Sequence, residues 1–447
     1  MGEATEHIYG GGEQYTYLDL KSRNYPMWVR EQGVGRNKSD IVTQVMDYLY
    51  HGGGDYHTTY WPQASYLSSR KYYIESTFAG YHELDFTVED RNTIYWHYSV
   101  PEAGVEGATC TTCHISILIK PTLMEIVQSL NPGQPPLPDW VYNGAILGVQ
   151  GGTDKMLGYL NQARDHGVQV SAMWIQDWSG KIVTSFGTRV FWNWRWNETW
   201  YPDLNNVIQE LDVEGVKVTV YLTPHLNIDG DVYQSAEDEQ YWLTTDNGTL
   251  LQDFGEFLVA TADIIKPPPD CNCINVGRDW YKRMIKENVL DLGLAGWMAD
   301  FGEYTPMEAR TKFGGRWWGK DEEEILHQTI SQEWAALNRE VVEEENKLGD
   351  ILFWMRSGGI QSKFHQVMSW GGDQLVDWSQ SDGLPSSIVS ALSLATSGMG
   401  LTHSDIGGYT GEPLVGLIRS KELFLRWAEY AAFTPLMRTH EVLITSQ

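Results

Sequence analysis

The rhythm of hydrophobic and polar positions changes near residue 135. Before it, short apolar runs alternate and turn often. Tyr72-Tyr73-Ile74-Glu75-Ser76-Thr77 and His114-Ile115-Ser116-Ile117-Leu118-Ile119 read as strands, with Gly, Asp and Asn between such runs. Residues 1–135 are therefore expected to form a β-rich domain. The run Asn131-Pro132-Gly133-Gln134-Pro135-Pro136-Leu137-Pro138 is stiff and reads as a boundary linker.

Beyond the linker, short apolar runs alternate with amphipathic helical stretches, the pattern of βα units and a parallel sheet. Candidate strands cover 145–150, 169–175, 216–222, 296–300, 351–355, 366–369, 400–404 and 434–438, and helical stretches cover 154–166, 322–346, 385–396 and 421–432. Eight strands with helices between them predict an α/β fold, a (β/α)8 TIM barrel over residues 136–447. A doubly wound open sheet is the alternative, but no glycine-rich phosphate fingerprint follows the first strand. Segment 229–277 is too long for an ordinary βα connection and is a candidate wall for a pocket.

In a barrel of this kind, active residues cluster just past the C-terminal ends of the strands. Gln176, Asp177, Asp300, Arg356, Asp373, His403, Ser404, Asp405, Arg438 and His440 all fall there. For any one of them a satisfied interior hydrogen bond explains the position equally well. The set, gathered on one face, points to an active site. Its centre is Gly296-Trp297-Met298-Ala299-Asp300-Phe301-Gly302-Glu303-Tyr304, where an apolar run delivers one aspartate and a Gly-Glu-Tyr turn follows. A second aspartate stands in Trp370-Gly371-Gly372-Asp373-Gln374. Two carboxylates so placed suit glycosidic-bond cleavage. One attacks or stabilises the anomeric carbon, and the other moves a proton at the leaving oxygen.

Composition narrows the picture. The 20 Trp and 24 Tyr are explained either by a large aromatic core or by sugar binding, because flat aromatic faces stack on pyranose CH groups. A formal net charge of -27 argues against nucleic acid as a partner and requires a local cation wherever an anionic ligand binds. No apolar run reaches the length of a transmembrane helix, so the chain reads as soluble. The N-terminus resembles neither a signal peptide nor a myristoylation site, and the compartment stays open. Sequons begin at Asn37, Asn197 and Asn247. Cys110-Thr111-Thr112-Cys113-His114 fits the haem-attachment pattern, and with Cys271-Asn272-Cys273 it fits a loose zinc set. Unrelated loops or one disulfide explain the cysteines more simply, so no cofactor or metal is expected.

The segments Trp174–Gly180, Gly296–Tyr304, Gly372-Asp373-Gln374 and His403–Tyr409 together resemble glycoside hydrolase family 31, and within it the sulfoquinovosidase branch. The resemblance runs from Ile8-Tyr9-Gly10-Gly11-Gly12-Glu13 to Arg438-Thr439-His440-Glu441. It implies a retaining mechanism with Asp300 as nucleophile and Asp373 as acid/base. Gln176 stands where α-glucosidases of the family carry an aspartate. A neutral amide can donate an N–H to a sulfonate, which an aspartate would repel. The resemblance adds Arg189, Trp192 and Tyr409 to sulfonate recognition, and Arg189 supplies the local cation. It implies that Arg356 holds the nucleophile and a sugar hydroxyl, that His440 meets sugar hydroxyls, and that Trp370 walls the subsite. Trp297 is a subsite wall or a core residue, and Asp405 a brace of the barrel rim.

The resemblance also implies that the chain enters partway through an N-terminal β-sandwich and stops after the eighth strand, without the last helix or the C-terminal β domains. A barrel lacking that helix would expose an apolar strip along strands one and eight. The expected function is hydrolysis of small-molecule α-sulfoquinovosides, such as sulfoquinovosyl glycerol or the sulfolipid. The alternatives are an α-glucosidase acting on neutral glucosides and a non-catalytic sugar-binding chain.

Overall fold

The computed structural model describes residues 6–31, 35–50, 53–87, 95–98, 114–131, 133–184, 187–236, 239–267, 273–312, 322–411 and 416–440. Nine short parallel segments join in one sheet: Ala145–Val149, Val170–Ile175, Lys217–Leu222, Gly296–Ala299, Leu352–Met355, Met368–Trp370, Thr402–His403, Asp405–Ile406 and Arg438–Thr439. Thr402–His403 pairs with the sixth strand and Asp405–Ile406 with the eighth, so these two pieces are one seventh strand changing neighbours. Arg438 pairs with Ile146, which closes the ring. The architecture is an eight-stranded α/β barrel, as the alternation of runs predicts.

Helices Thr153–Asp165, Leu204–Val213, Val276–Ile285, Glu322–Glu344, Leu384–Thr396 and Lys421–Ala431 follow strands one, two, three, four, six and seven. The link from strand five to strand six carries only a short 3-10 turn, Ser362–Phe364. The fourth strand is buried at every position. It begins with glycine because a Cβ at Gly296 would stand 1.9 Å from the carbonyl oxygen of Leu352 on the fifth strand. The next side chain, Trp297, points outward. Its Nε1 donates to Asn338 on the long helix at 2.6 Å, and its ring stacks on Phe353, which makes it a core residue.

Inside the ring, aromatic side chains form the floor. The Arg438 guanidinium lies 4.8 Å from the Trp174 ring, 5.7 Å from Trp354 and 5.4 Å from Trp370. It is fully buried and ion-paired to Asp405. Nine tryptophans, from Trp61 to Trp427, are among the largest fully buried side chains. Much of the aromatic content therefore packs the core rather than facing ligand.

The N-terminal region folds into two antiparallel sheets, with Tyr25, Met27, Tyr66, Leu84 and Phe86 buried between them. It docks firmly on the barrel. In strand Ile8–Gly12, Gly12 donates its N–H to Ser397 Oγ at 3.0 Å, and Gly10 accepts from Ser393 Oγ at 3.0 Å. A Cβ on Gly12, whose φ is +80°, would stand 2.0 Å from Trp61 O. Arg36 forms a fully buried ion pair with Asp382 of the barrel and lies 3.5 Å over the Tyr15 ring. These contacts bring two side chains of the β region, Glu31 and Tyr60, onto the barrel's C-terminal face, where both meet Arg356.

The long excursion after strand three is folded rather than loose. His225–Asn227, Leu251–Asp253 and Leu258–Thr261 form a three-stranded sheet that carries Phe254 toward the barrel mouth. Cys273 is disulfide-bonded. Cys110, Cys113 and Cys271, and with them most of the haem and zinc patterns, lie outside the described residues. Among the described residues no cluster could hold a metal ion, and no helix is long and apolar enough to cross a membrane.

Candidate active site

One guanidinium organises the centre. Arg356, one residue beyond the fifth strand, is sandwiched between the rings of Tyr60 and Phe301, each 4.7 Å away. Its Nε lies 3.0 Å from Asp300 Oδ1, its Nη1 donates to Asp373 Oδ2 at 3.1 Å, and its Nη2 lies 2.7 Å from Glu31 Oε2. Glu303 takes two further bonds, from Nε at 3.1 Å and Nη2 at 2.7 Å. The two aspartates thus share one cation, an arrangement suited to the short carboxylate spacing of retaining glycosidases.

Asp300 ends the fourth strand. Its Oδ2 accepts from Tyr221 Oη at 2.7 Å and its Oδ1 from the N–H of Phe301 at 2.8 Å. Phe301 has φ +63°, a left-handed conformation that a bulky side chain rarely adopts, and it sets the sharp turn after the carboxylate. Burial raises the pKa of Asp300, while Arg356, then Tyr221 and the Phe301 N–H, pull it back down. Asp373 is pushed well above the carboxylate range. Burial is the largest cause, Arg356 opposes it, and the nearby charges of Glu31 and Asp300 add to it. Of the two, Asp300 is the less displaced. Environments that separate two carboxylates in this way suit one to be a nucleophile and the other a proton donor.

Beside this pair lies a second group. Gln176 Oε1 accepts from Gln150 Nε2 at 2.5 Å and faces His440 Nε2 at 3.3 Å. No hydrogen bond among the described residues uses the Gln176 amide nitrogen. His440 Nδ1 is held by Asp405 at 3.0 Å, and its ring stacks on Tyr409 at 4.4 Å. Burial, then the charges of Asp373 and Asp300, push the pKa of Tyr409 well above its ordinary value. A third group forms from the hairpin Lys181–Thr184 and Gly187–Val190, which follows strand two. Arg189 Nη1 donates to Phe254 O at 2.7 Å. The Trp192 ring packs on Phe254 at 5.0 Å and on Phe301 at 5.1 Å.

Other positions marked at strand ends serve the scaffold. Asp177 accepts from Gly151 N at 2.8 Å, meets Lys181 Nζ at 3.3 Å, and is bonded by Tyr201. His403 is held by Ser369 O and by Arg438 Nε, and Ser404 accepts from Trp427 Nε1. Asp405 pairs with Arg438 and His440, and against its burial these two hold its pKa below the ordinary range. Trp370 is 1% exposed and lies beneath Arg356, at 5.7 Å. Sequence reasoning did not mark Glu31, Tyr60, Tyr221 or Glu303 as site residues. The turn containing Glu303 offered a signal, since it sits three residues past Asp300; Glu31 and Tyr60 reach the site only through domain docking.

A closed (β/α)8 barrel with two aspartates bridged by one arginine at its C-terminal face is an arrangement suited to glycosidic-bond chemistry. The chain belongs to glycosyl hydrolase family 31, whose TIM-barrel domain matches residues 135–447. It is 43% identical over 439 residues to the sulfoquinovosidase of Escherichia coli K12, covering 98% of this chain and 61% of that protein. It is 40% identical to the sulfoquinovosidase of Agrobacterium fabrum, covering 99% of this chain and 63% of that protein. Among solved structures, a family 31 sulfoquinovosidase from E. rectale, in complex with the aza-sugar inhibitor IFGSQ, superposes with a TM-score of 0.88 at 40% identity. That match covers 98% of this chain and 62% of the other. The chain thus spans about six tenths of the length of the curated relatives it matches.

Proposed function

We propose that this chain carries the catalytic site of a retaining α-glycosidase that cleaves α-sulfoquinovosides. The carboxylate of Asp300 attacks the anomeric carbon while the bond to the aglycone oxygen breaks. Asp373 gives its proton to that oxygen. In the second step Asp373 takes a proton from water, the water oxygen bonds to the anomeric carbon, and Asp300 leaves as the carboxylate. Arg356 fixes both groups, and Tyr221 steadies the charge on Asp300.

The observation that carries the sulfonate reading is the setting of Gln176. Its oxygen is engaged by Gln150 and faces His440, which leaves its amide N–H groups as the donors to offer a ligand. Arg189 adds a cation, Trp192 an indole N–H and Tyr409 a phenol. In this reading His440 meets a sugar hydroxyl, and Trp370 supports the subsite from beneath Arg356. The resemblance to two sulfoquinovosidases supports the same substrate class. The test is to incubate the chain with a chromogenic α-sulfoquinovoside and follow the anomer of the released sugar by NMR. The expected first product is α-sulfoquinovose, with release abolished in Asp300→Asn and strongly slowed in Asp373→Asn. A β-configured first product, or unchanged rates in either variant, would sink the assignment.

A further inference from the structure

The turn after the nucleophile holds a carboxylate that this scheme does not use. The Glu303 side chain is 0% exposed, against 7% for Asp300, 13% for Glu31 and 22% for Asp373. Among the described carboxylates around Arg356, it is the one whose side chain is closed to solvent. Its Oε1 accepts both Arg356 Nε–H and an Nη2–H, while its Oε2 is buried with no hydrogen-bond partner among the described residues. The Nε–H group, although 3.0 Å from Asp300 Oδ1, is directed to Glu303 in the hydrogen-bond geometry.

We propose that Glu303 is a positioning residue that grips Arg356 from behind, fixing the guanidinium between nucleophile and acid/base and balancing its charge. The proposal rests on the roles given above to Asp300 and Asp373. It has a consequence for the covalent stage. When Asp300 becomes an ester it loses its charge and weakens as a partner for Arg356. The two bonds from Glu303 do not change in that step, so Arg356 stays in place for the second displacement.

The groups around Glu303 come from several elements. Glu31 and Tyr60 belong to the β region, Asp300 follows strand four, Tyr304 lies in the same turn, Arg356 follows strand five and Asp373 lies in the loop after strand six. The long helix contributes Ser331 beside Gly302, and His327 on the carbonyl of Thr305. Burial pushes the Glu303 pKa up to about 7, opposed by Arg356 and reinforced by Glu31 and Asp300. Ionised Glu303 offsets the charge of Arg356. Without it, the full guanidinium charge acts on Asp373 and draws its proton off at lower pH.

The experiment is Glu303→Gln, with Glu303→Asp beside it and a thermal melt for each. In the Gln variant kcat is expected to fall about tenfold, and the basic limb of kcat/KM to move down by about one pH unit. The Asp variant keeps the charge and should keep the limb near its wild-type position. The protonated carboxyl band of Asp373 in the infrared, assigned by its loss in Asp373→Asn, reads the same titration without substrate. Its midpoint should fall in the Gln variant and hold in the Asp variant. A uniform loss of rate with an unmoved limb and an unmoved infrared midpoint would overturn the proposal. A shifted infrared midpoint in a chain that cleaves no α-glycoside would keep the role of Glu303 and refute the function.

Discussion

Gln176→Glu isolates the sulfonate reading with a change of a single functional group. The retained oxygen still accepts from Gln150 Nε2, so the local bonds at 2.5 and 3.3 Å keep their partners and the fold has no reason to shift; the new oxygen stands where the amide nitrogen was. Two things change for a sulfonated ligand. A charge-assisted hydrogen bond of about 1.5–3 kcal/mol is lost. A like charge is placed near the sulfonate, worth at most about 4 kcal/mol at 4 Å and an effective dielectric of 20. The two terms together give a net cost of roughly 3–5 kcal/mol, or about 10²–10⁴-fold in kcat/KM. A neutral α-glucoside loses neither term and should hold or gain. Position 176 is 8% exposed, so burial would raise the pKa of a glutamate there. As pH falls through that raised value the carboxyl becomes neutral and regains a donor, so sulfoquinovoside turnover should recover relative to wild type. The assay is kcat/KM on matched 4-nitrophenyl α-sulfoquinovoside and α-glucoside between pH 5 and 8. An unchanged ratio of the two, or a loss shared equally by both substrates, would exclude Gln176 as a sulfonate donor.

Further outcomes follow from the same contacts. Tyr221→Phe removes the donor 2.7 Å from Asp300 Oδ2, so the pKa of Asp300 should rise further; the acidic limb of kcat/KM then moves to higher pH by up to about one unit, read from a pH–rate profile. Arg36→Met leaves Asp382 buried without its cation and should cost about 3–5 kcal/mol in a chemical melt. The Asp382 pKa already stands at about 7 in the intact pair, burial being the largest cause, and loss of Arg36 raises it further. The deficit should therefore be largest at high pH and shrink as the carboxyl takes up a proton on acidification.

The barrel was legible because strand four, strand five and the first helix carry strong local patterns, and because polar groups recur at the strand ends. The fourth-strand aspartate stood out for the same reason, an apolar run that stops at a charge. What local pattern does not reveal is partner exchange. Strand seven divides between two neighbours at Ser404, and nothing in 400–404 announces that. Polar residues at strand ends also look alike whether they face a ligand or brace the wall. His403 and Ser404 spend their hydrogen bonds on Ser369, Arg438 and Trp427, while Asp300 and Asp373 converge on Arg356. Glu31 was hidden for a different reason. It lies 325 positions from Arg356 in the chain, and the docking of Gly10–Gly12 on the serines of helix Leu384–Thr396, which helps bring the two together, is a tertiary event.

The proposed site takes a sulfonated α-glycoside, which is hydrolysed through Asp300. The most direct test is the ratio of kcat/KM for an α-sulfoquinovoside to that for the matching α-glucoside on this chain, with Asp300→Asn as the blank. The expected ratio is at least about a hundred, the effect of the charge-assisted bonds from Gln176 and Arg189. A ratio at or below one, with turnover abolished in the blank, would contradict it and make the chain a glucosidase.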